Sequence, residues 1–589
     1  MANTWDLTHI FKTEKEFEDA ICELKEAPKI AIKYKGKLSN DEDFAEYLRF
    51  TKKINKTLAD LFIYSGMKSD RNKKDVEAAT NLSRVQLAAH EFSEAVSWES
   101  PEIISLGEEK VMGFLKKNPE FEEFDFGFEK LFRGQKHVLS AEKEALLSAY
   151  SPIVGQGRTL YSMLSVADYK PKQVKLSDGE ELTVNQSNWT SLIRIAKTPE
   201  DRQKIFETLY SQFDDHKNTY GEFYNNVVQS QLAVMKSRGY ESILEEHLYD
   251  NNIPVSVFHN LIEVASSGAA PLHKYYEIRR KYLGLEKHRS YDRFLELAKS
   301  DKKYTFDEAK EIFWDSIKGF PADFQDKAHE VLKEGYVDVY PSDGKRTGAY
   351  SNGGYDIHPY ILLNFEGDLN DVFTTAHESG HSIHTLYAEE NQPLFKQDYT
   401  IFVAEIASTF NEHNLLDYLM KKGDLSKQDK IFLLQKAIDE ICATFYRQTL
   451  FGHYEYNISQ KVERGEPINY KVLSDEMVSL YKTYYGIDIS EEKVKPLVWA
   501  YIPHLFYTPF YVYQYATSFT ASMLIYENVK NGKEGAFEKY IGLLKSGGSE
   551  YPIDQVKKAG VDLTTKEPFE SVIRRMTELV DELQKLLEE

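Results

Sequence analysis

A chain of 589 residues with 42% apolar content is well beyond the size at which a buried core becomes easy to build, so a globular protein with more than one layer or subdomain is expected. Its 94 acidic against 73 basic residues leave a net charge of -21, which repels phosphate backbones and anionic membrane surfaces and argues against a nucleic-acid or membrane partner. Only Cys22 and Cys442 occur; no disulfide framework is implied, and each lies in an apolar, helix-like run where a buried thiol acts as a small hydrophobe.

The N-terminal stretch MANTWDLTHIFKTEKEFEDA lacks a basic region followed by an apolar segment, and no run of about 18 uncharged apolar residues follows. The expected location is therefore cytoplasmic. Apolar residues then recur at three- and four-residue spacing, as at Phe17, Ile21 and Leu24 and again at Phe44, Tyr47, Leu48 and Phe50, so helix is expected to dominate. The segment QVKLSDGEELTV, 173–184, alternates around Asp178-Gly179 and predicts a hairpin. A boundary is placed near residue 190, dividing a helical N-terminal region, 1–190, from a larger part, 191–589, that carries the chemistry. Thr198-Pro199-Glu200-Asp201 reads as an N-cap, a proline at the first helical position and acids in the first turn of the helix that follows. From Tyr340 to Leu369 a Gly-rich loop, DGKRTGAYSNGGYD, and a strand-like run, HPYILLNF, interrupt the helical pattern. Gly348, Gly353 and Gly354 permit close backbone approach there. The adjoining strand either offers an edge to an extended peptide or is a packed strand after a plain surface turn.

The next segment holds His377-Glu378-Ser379-Gly380-His381. Residues four apart on a helix lie one above the other, so both imidazoles reach one ion at roughly 2.0–2.1 Å. Glu378 is rotated by about 100° from His377, beside the metal rather than on it, where it serves as general base. Val372, Phe373, Ala376, Ile383, Leu386 and Tyr387 supply the apolar face of this helix, with Asn370 or Asp371 as its N-cap. A second helix, TIFVAEIASTFNEHNLLDYLM, places Glu405, Ser408 or Thr409, and Glu412 on one face, while Phe402, Ile406, Phe410 and Leu416 pack. A carboxylate in so apolar a run is costly unless compensated. Glu405 is therefore taken as third ligand, against the alternative of a solvated acid, and Glu412 as either a solvated acid or a group supporting a ligand. Two histidines and one glutamate leave a zinc coordination position open to water, the arrangement of a hydrolytic site. His384 would close that position as a fourth ligand and is read as a packed or supporting histidine.

Downstream, YIPHLFYTPFYVYQYATS, 501–518, is rich in tyrosine. Thr508 and Pro509 read as N-cap and first helical residue, which places Tyr511, Tyr515 and Ser518 on one face, with His504 and Tyr507 on the preceding turn. Such a stripe serves either core packing or donation to a developing oxyanion.

Four ordered motifs, GAYSNGG, HESGHSIH, EIASTFNE beginning 24 residues after His381, and PHLFYTPFYVYQYATS, resemble oligoendopeptidase F of the thimet-oligopeptidase-like (M3) zinc metallopeptidases. The resemblance is strong over roughly 190–585. It implies a mainly α, two-lobed helical enzyme enclosing a deep substrate channel, with a small β-sheet next to the motif helix, one Zn2+ per chain and only short unfolded peptides admitted. The family's metal ligands match His377, His381 and Glu405, and its base matches Glu378. Its substrate-binding His and Tyr match His504, Tyr507 and Tyr515, with Tyr511 and Tyr513 as alternatives. The expected activity is endopeptidase cleavage of short oligopeptides by a monomer or small homo-oligomer. A zinc aminopeptidase is disfavoured because no GxMEN-type segment is present, and an inert peptide-binding protein because it has no need of Glu378.

Overall fold

A computed structural model describes residues 3–300, 302–423 and 425–589. The chain is mainly α, as expected, and its strands form two small sheets. Among the described residues no helix is long and apolar enough to cross a membrane.

The expected hairpin forms from β1 (Lys172–Lys175) and β2 (Glu181–Val184), paired antiparallel with Val174 opposite Leu182. Gly179 takes φ +90° in its turn, a conformation that costs glycine little because it lacks Cβ. The second sheet comprises β3 (Val337–Asp338), β4 (Tyr350–Gly354) and β5 (Ile357–Leu362), in the order β3-β5-β4. β5 runs parallel to β3 and antiparallel to β4. Being central and largely buried, it needs apolar residues on both faces, which accounts for the unbroken run in HPYILLNF. β4 keeps one unpaired edge.

The chain packs as two units. The first comprises Met1–Lys136, Asp301–Lys421 and Ile525–Val561, and the second His137–Ser300, Lys422–Leu524 and Asp562–Glu589. In the first, helices Glu14–Ala31, Asp41–Arg71 and Val76–Ala95 bury Phe17, Ile21, Leu24, Met67 and Val85 in one cluster with Tyr360 and Leu362 of β5. The Trp5 indole N–H donates to the Ile361 carbonyl across 2.8 Å. Because Phe17, Ile21 and Leu24 fix the buried face, position 22 is turned about 100° away from it. Cys22 is accordingly exposed, contrary to the buried position expected for it, whereas Cys442 is buried as expected.

The motif helix α1 (Leu369–Asn391) lies in this unit, followed by α2 (Ile401–Lys421). Its N-cap is Asp368 rather than Asn370 or Asp371. The Asp368 carboxylate accepts the Asp371 N–H at 3.0 Å, and Asp371 Oδ2 accepts the N–H groups of Glu366, Gly367 and Asp368 at 2.8, 2.7 and 3.1 Å. This reciprocal capping box starts the helix three residues earlier than the apolar periodicity suggests.

In the second unit, Thr198 Oγ1 accepts the Asp201 N–H at 3.1 Å and opens helix Pro199–Asp215, as its sequence indicates. The unit also contains α3 (Arg447–Glu463), which continues directly from a π-helical turn at Ile441–Tyr446, and α4 (Tyr470–Tyr485). Helix α5 (Tyr513–Lys530) follows in the chain.

The capping box predicts that Asp371→Ala, which strips the acceptor from three backbone N–H groups, destabilises the protein by about 1–2 kcal/mol, and that Asp371→Asn recovers part of the loss. Urea-unfolding midpoints at constant slope measure it. An unchanged midpoint for the alanine variant contradicts the capping role.

Candidate metal centre

Helices α1 and α2 approach closely at Gly380. A Cβ built on Gly380 would lie 2.5 Å from the Ala407 carbonyl oxygen and 2.6 Å from Ser408 Cα, distances that no alanine tolerates without moving backbone. The neighbouring interface is made of small or hydrogen-bonded groups. Ser379, Ser382, Ser408 and Asn411 are fully buried, and the Asn411 amide donates to the Ala376 carbonyl at 3.0 Å. With nothing large between the helices, the imidazoles on either side of Gly380 come against the Glu405 carboxylate.

His377 Nε2 and His381 Nε2 each lie 3.4 Å from Glu405 Oε2. The three residues offer ligand atoms that all fall within 4.8 Å of one another. The donor set fits a divalent cation: two neutral nitrogens and one carboxylate oxygen converge, and each has a lone pair to give. Burial alone would raise the Glu405 carboxyl, but hydrogen bonding to His377 and His381 holds it well below the usual carboxylate range. Burial would lower the His377 imidazole, but Glu412 and Glu405 hold it well above its ordinary value.

Glu378 is only 5% exposed, and its Oε2 is buried without a hydrogen-bond partner among the described residues. Burial is the main cause of its raised pKa, opposed by the two imidazoles. Both features suit a carboxyl group that exchanges a proton. Glu412 settles against the motif, its Oε2 3.3 Å from His377 Nδ1. That contact fixes the ring and turns Nε2 toward Glu405 and His381. His384 takes no part in the convergence. It is buried, stacks on Tyr399 with ring centroids 3.6 Å apart and 3° between planes, and has a pKa lowered to about 3, chiefly by burial.

Beside α1, Ser382 Oγ lies 2.8 Å from Ser351 Oγ of β4. A cavity of about 230 Å³ opens there, lined by Ser351, Asn352, Gly353, Thr385 and Tyr399 among others. The space beside Gly353 is taken by Pro359, whose Cα would lie 2.8 Å from an added Cβ, and that beside Gly354 by Ile63. These two glycines therefore serve packing of the sheet itself, while Gly348 takes φ +83°.

His504, Tyr507 and Tyr515 belong to the second unit. The structure departs from the expected helix start at Thr508. Thr508 instead caps the C-terminus of the short helix His504–Tyr507, Phe510 takes φ +53°, and α5 begins only at Tyr513. The cause is Glu455 of α3, buried, whose Oε1 accepts the Phe510 N–H at 2.7 Å. Burial pushes this carboxyl up to about 8. The turn still gathers a cluster: the His504 and Tyr511 rings lie parallel 6.3 Å apart, and Tyr511 meets Tyr515 edge-on at 5.5 Å. Tyr507 packs edge-on against Tyr161 at 5.5 Å. Tyr513 is buried against Phe258, and Ser518 is fully buried. Tyr507, Tyr511 and Tyr515 keep partly exposed side chains; Tyr513 is a packing residue. Neither Gly380 nor Glu455 figured among the sequence candidates. Their signals were a lone glycine inside a helical pattern and a lone acid in an apolar run.

The Peptidase family M3 model matches residues 193–575, and the Oligopeptidase F model residues 102–170. Oligopeptidase PepF of Bacillus subtilis (strain 168) is 33% identical over 587 residues, covering 99% of this chain and 87% of the relative. Group B oligopeptidase PepB of Streptococcus agalactiae is 32% identical over 584 residues, covering 99% and 97%. Among solved structures, oligoendopeptidase-F from Enterococcus faecium superposes with a TM-score of 0.77 at 27% identity, covering 98% of this chain and 99% of that one.

Gly380→Ala tests the helix approach by the sign of its effect. In an exposed helix this change stabilises by up to about 1 kcal/mol. Here it is expected to destabilise by about 2 kcal/mol or more and to weaken divalent-metal binding at least about tenfold, read by competition with a chromophoric chelator. A stabilised variant with unaltered metal affinity would show that the close contact is not needed.

Proposed function

Because the chain belongs to peptidase family M3 and is a metalloendopeptidase, we propose that its metal is zinc, held by His377, His381 and Glu405, and that Glu378 is the general base for hydrolysis of internal bonds in short unfolded peptides. The observation that carries this reading is the convergence of those three donors, with an unpartnered buried carboxylate oxygen on the adjacent residue. Held by His377, His381 and Glu405, zinc would supply Lewis acidity for activating water.

Glu378 accepts the water's proton at Oε2 and returns it to the leaving amine, since one buried carboxyl whose charge is poorly solvated can serve both transfers. Glu412 holds the His377 ring by its Nδ1, so that Nε2 stays directed at the shared point. An extended substrate lies along the free edge of β4, where backbone N–H and C=O groups are unpaired and the 230 Å³ cavity takes a side chain. On the family resemblance, His504 and Tyr507 or Tyr515 are assigned as hydrogen-bond donors to substrate. His504 is suited to that as a neutral imidazole, its pKa lowered by partial burial and by the nearby Arg447 charge.

Glu378→Gln is expected to keep about one zinc per chain and to lose at least roughly a thousandfold in kcat/KM; turnover like that of the parent rejects the assigned base. Glu405→Ala is expected to lose its metal on dialysis, and zinc content unchanged by atomic absorption moves the third ligand elsewhere. Tyr507→Phe or Tyr515→Phe is expected to lower kcat about 10²- to 10³-fold with little change in KM. Identical kinetics for both leave those hydroxyls as packing groups. The activity itself is read by mass spectrometry on a mixed-length peptide library and a folded protein, with and without chelator. Internal cuts confined to short peptides support the oligopeptidase, and stepwise loss of N-terminal residues supports an aminopeptidase.

A further inference from the structure

In the second unit two half-buried guanidiniums, those of Arg293 and Arg447, lack a partner among the described residues. Arg293 sits in a short 3-10 turn, Asp292–Phe294, and Arg447 is the first residue of α3. Among the described residues neither guanidinium forms an ion pair or a hydrogen bond; their contacts are with rings, Arg293 over Phe294 at 4.4 Å and Arg447 over Phe451 at 5.3 Å. Both side chains are half-buried, so water reaches them. They share one surround: Tyr210, Tyr481 and Tyr485 interact with both, and burial followed by the charge of Arg293 depresses the Arg447 pKa.

The nearby charged groups are already committed. Asp439 accepts from the Tyr275 hydroxyl at 2.7 Å and from the Gln435 amide at 3.2 Å. Glu492 accepts the Ser290 N–H at 2.9 Å and its hydroxyl at 2.5 Å. Lys495, itself buried, adds a third cation, enclosed by Phe206, Tyr210 and Tyr481 with its ammonium 5.1–5.8 Å from their ring centres. Fully buried Arg279 is spent on the Tyr275 hydroxyl and the carbonyls of Asp292, Arg293 and Leu295. Those carbonyl contacts fix the backbone that carries Arg293. The π-turn at Ile441–Tyr446 likewise re-aims the first side chain of α3 relative to the helix before it. Arg293 and Arg447 are thus positioned by structure that does not neutralise them, which leaves their N–H donors open to an anion from outside the chain.

We propose that Arg293 and Arg447 form a carboxylate-binding site for peptides, taking either the C-terminal group or an acidic side chain. Guanidinium forks match a planar carboxylate by paired N–H donors, and the tyrosines around both groups limit the solvent that competes for those donors. The peptide as ligand rests on the peptidase reading above; the binding of carboxylate does not.

The test uses full-length Glu378→Gln protein and N-terminally labelled peptides of one sequence in three forms: free C-terminal acid, C-terminal amide, and amide with one glutamate near that end. Fluorescence anisotropy gives each affinity. The parent is expected to bind the free acid, the glutamate amide or both at least about tenfold more tightly than the plain amide. That ratio is expected to fall to about one in Arg293→Met and Arg447→Met and to an intermediate value in Arg447→Lys, which keeps the charge but loses the fork. Which peptide carries the advantage identifies the source of the carboxylate. Circular dichroism and zinc content confirm that each variant is folded, with Arg447→Lys as the readout should a methionine variant misfold. Equal affinities for all three peptides, or an advantage that survives both methionine variants, overturns the site. Carboxylate discrimination in a protein whose parent enzyme cleaves no peptide overturns the catalytic reading and leaves this one standing; cleavage without discrimination does the reverse.

Discussion

The convergence of His377, His381 and Glu405 depends on one steric fact, that no Cβ stands between α1 and α2 at Gly380. Glycine in mid-helix ordinarily destabilises by about 1 kcal/mol relative to alanine. The Ala407 carbonyl and Ser408 Cα occupy the space that an alanine would need. The unfavourable propensity is therefore exchanged for distance: His377 and His381, three before and one after Gly380, are brought to 3.4 Å from Glu405. The same closeness excludes large side chains from the interface and explains the run of buried serine, threonine and asparagine that would otherwise be out of place in a protein interior. Hydroxyl and amide donors there turn to backbone carbonyls, Ser379 to Thr375 within its helix and Asn411 to Ala376 across the contact, so the helices touch with these donors satisfied.

Close approach also concentrates charge. Glu378, Glu405 and Glu412 share a small volume with two imidazoles, and three carboxylates there repel unless something positive sits among them. The hydrogen bonds divide the work. Glu405 faces both rings and Glu412 supports one from behind, while Glu378 is left with a buried oxygen that nothing among the described residues satisfies. An arrangement selected for stability alone would pair that oxygen. Burial raises the Glu378 pKa and, with that oxygen left open, suits the group to exchange a proton.

What the sequence made legible was whatever is encoded at short range. The four-residue spacing of His377 and His381, the Thr198-Pro199 helix start and the alternation around Gly179 each rest on neighbours in the chain, and each is present in the structure. Glu405 could be proposed because an acid in an apolar helix must have a partner somewhere. What resisted reading depends on contacts distant in sequence. Thr508-Pro509 has the local signature of a helix start, yet Glu455, 55 residues away, holds the Phe510 N–H and delays the helix to Tyr513. Asp368 was missed because the cap lies outside the apolar repeat that was used to find the helix. The error at Cys22 was of another kind, since the neighbouring Phe17, Ile21 and Leu24 already define the opposite face.

The same distinction between satisfied and unsatisfied groups bears on the rest of the chain. With 94 acidic residues to 73 basic ones, an arginine seldom lacks a carboxylate for want of supply, and Arg202 and Asp292 form a buried pair at 2.8 Å one residue from Arg293. Arg293 and Arg447 stand in the same unit with committed acids nearby and with no acid of their own. Ring contacts offset part of the cost of desolvating a guanidinium, but they supply no acceptor for its five N–H donors. In a molecule where acids are in excess, two adjacent cations kept from them point to an anion that arrives from outside the chain, just as the lone oxygen of Glu378 points to a proton that comes and goes.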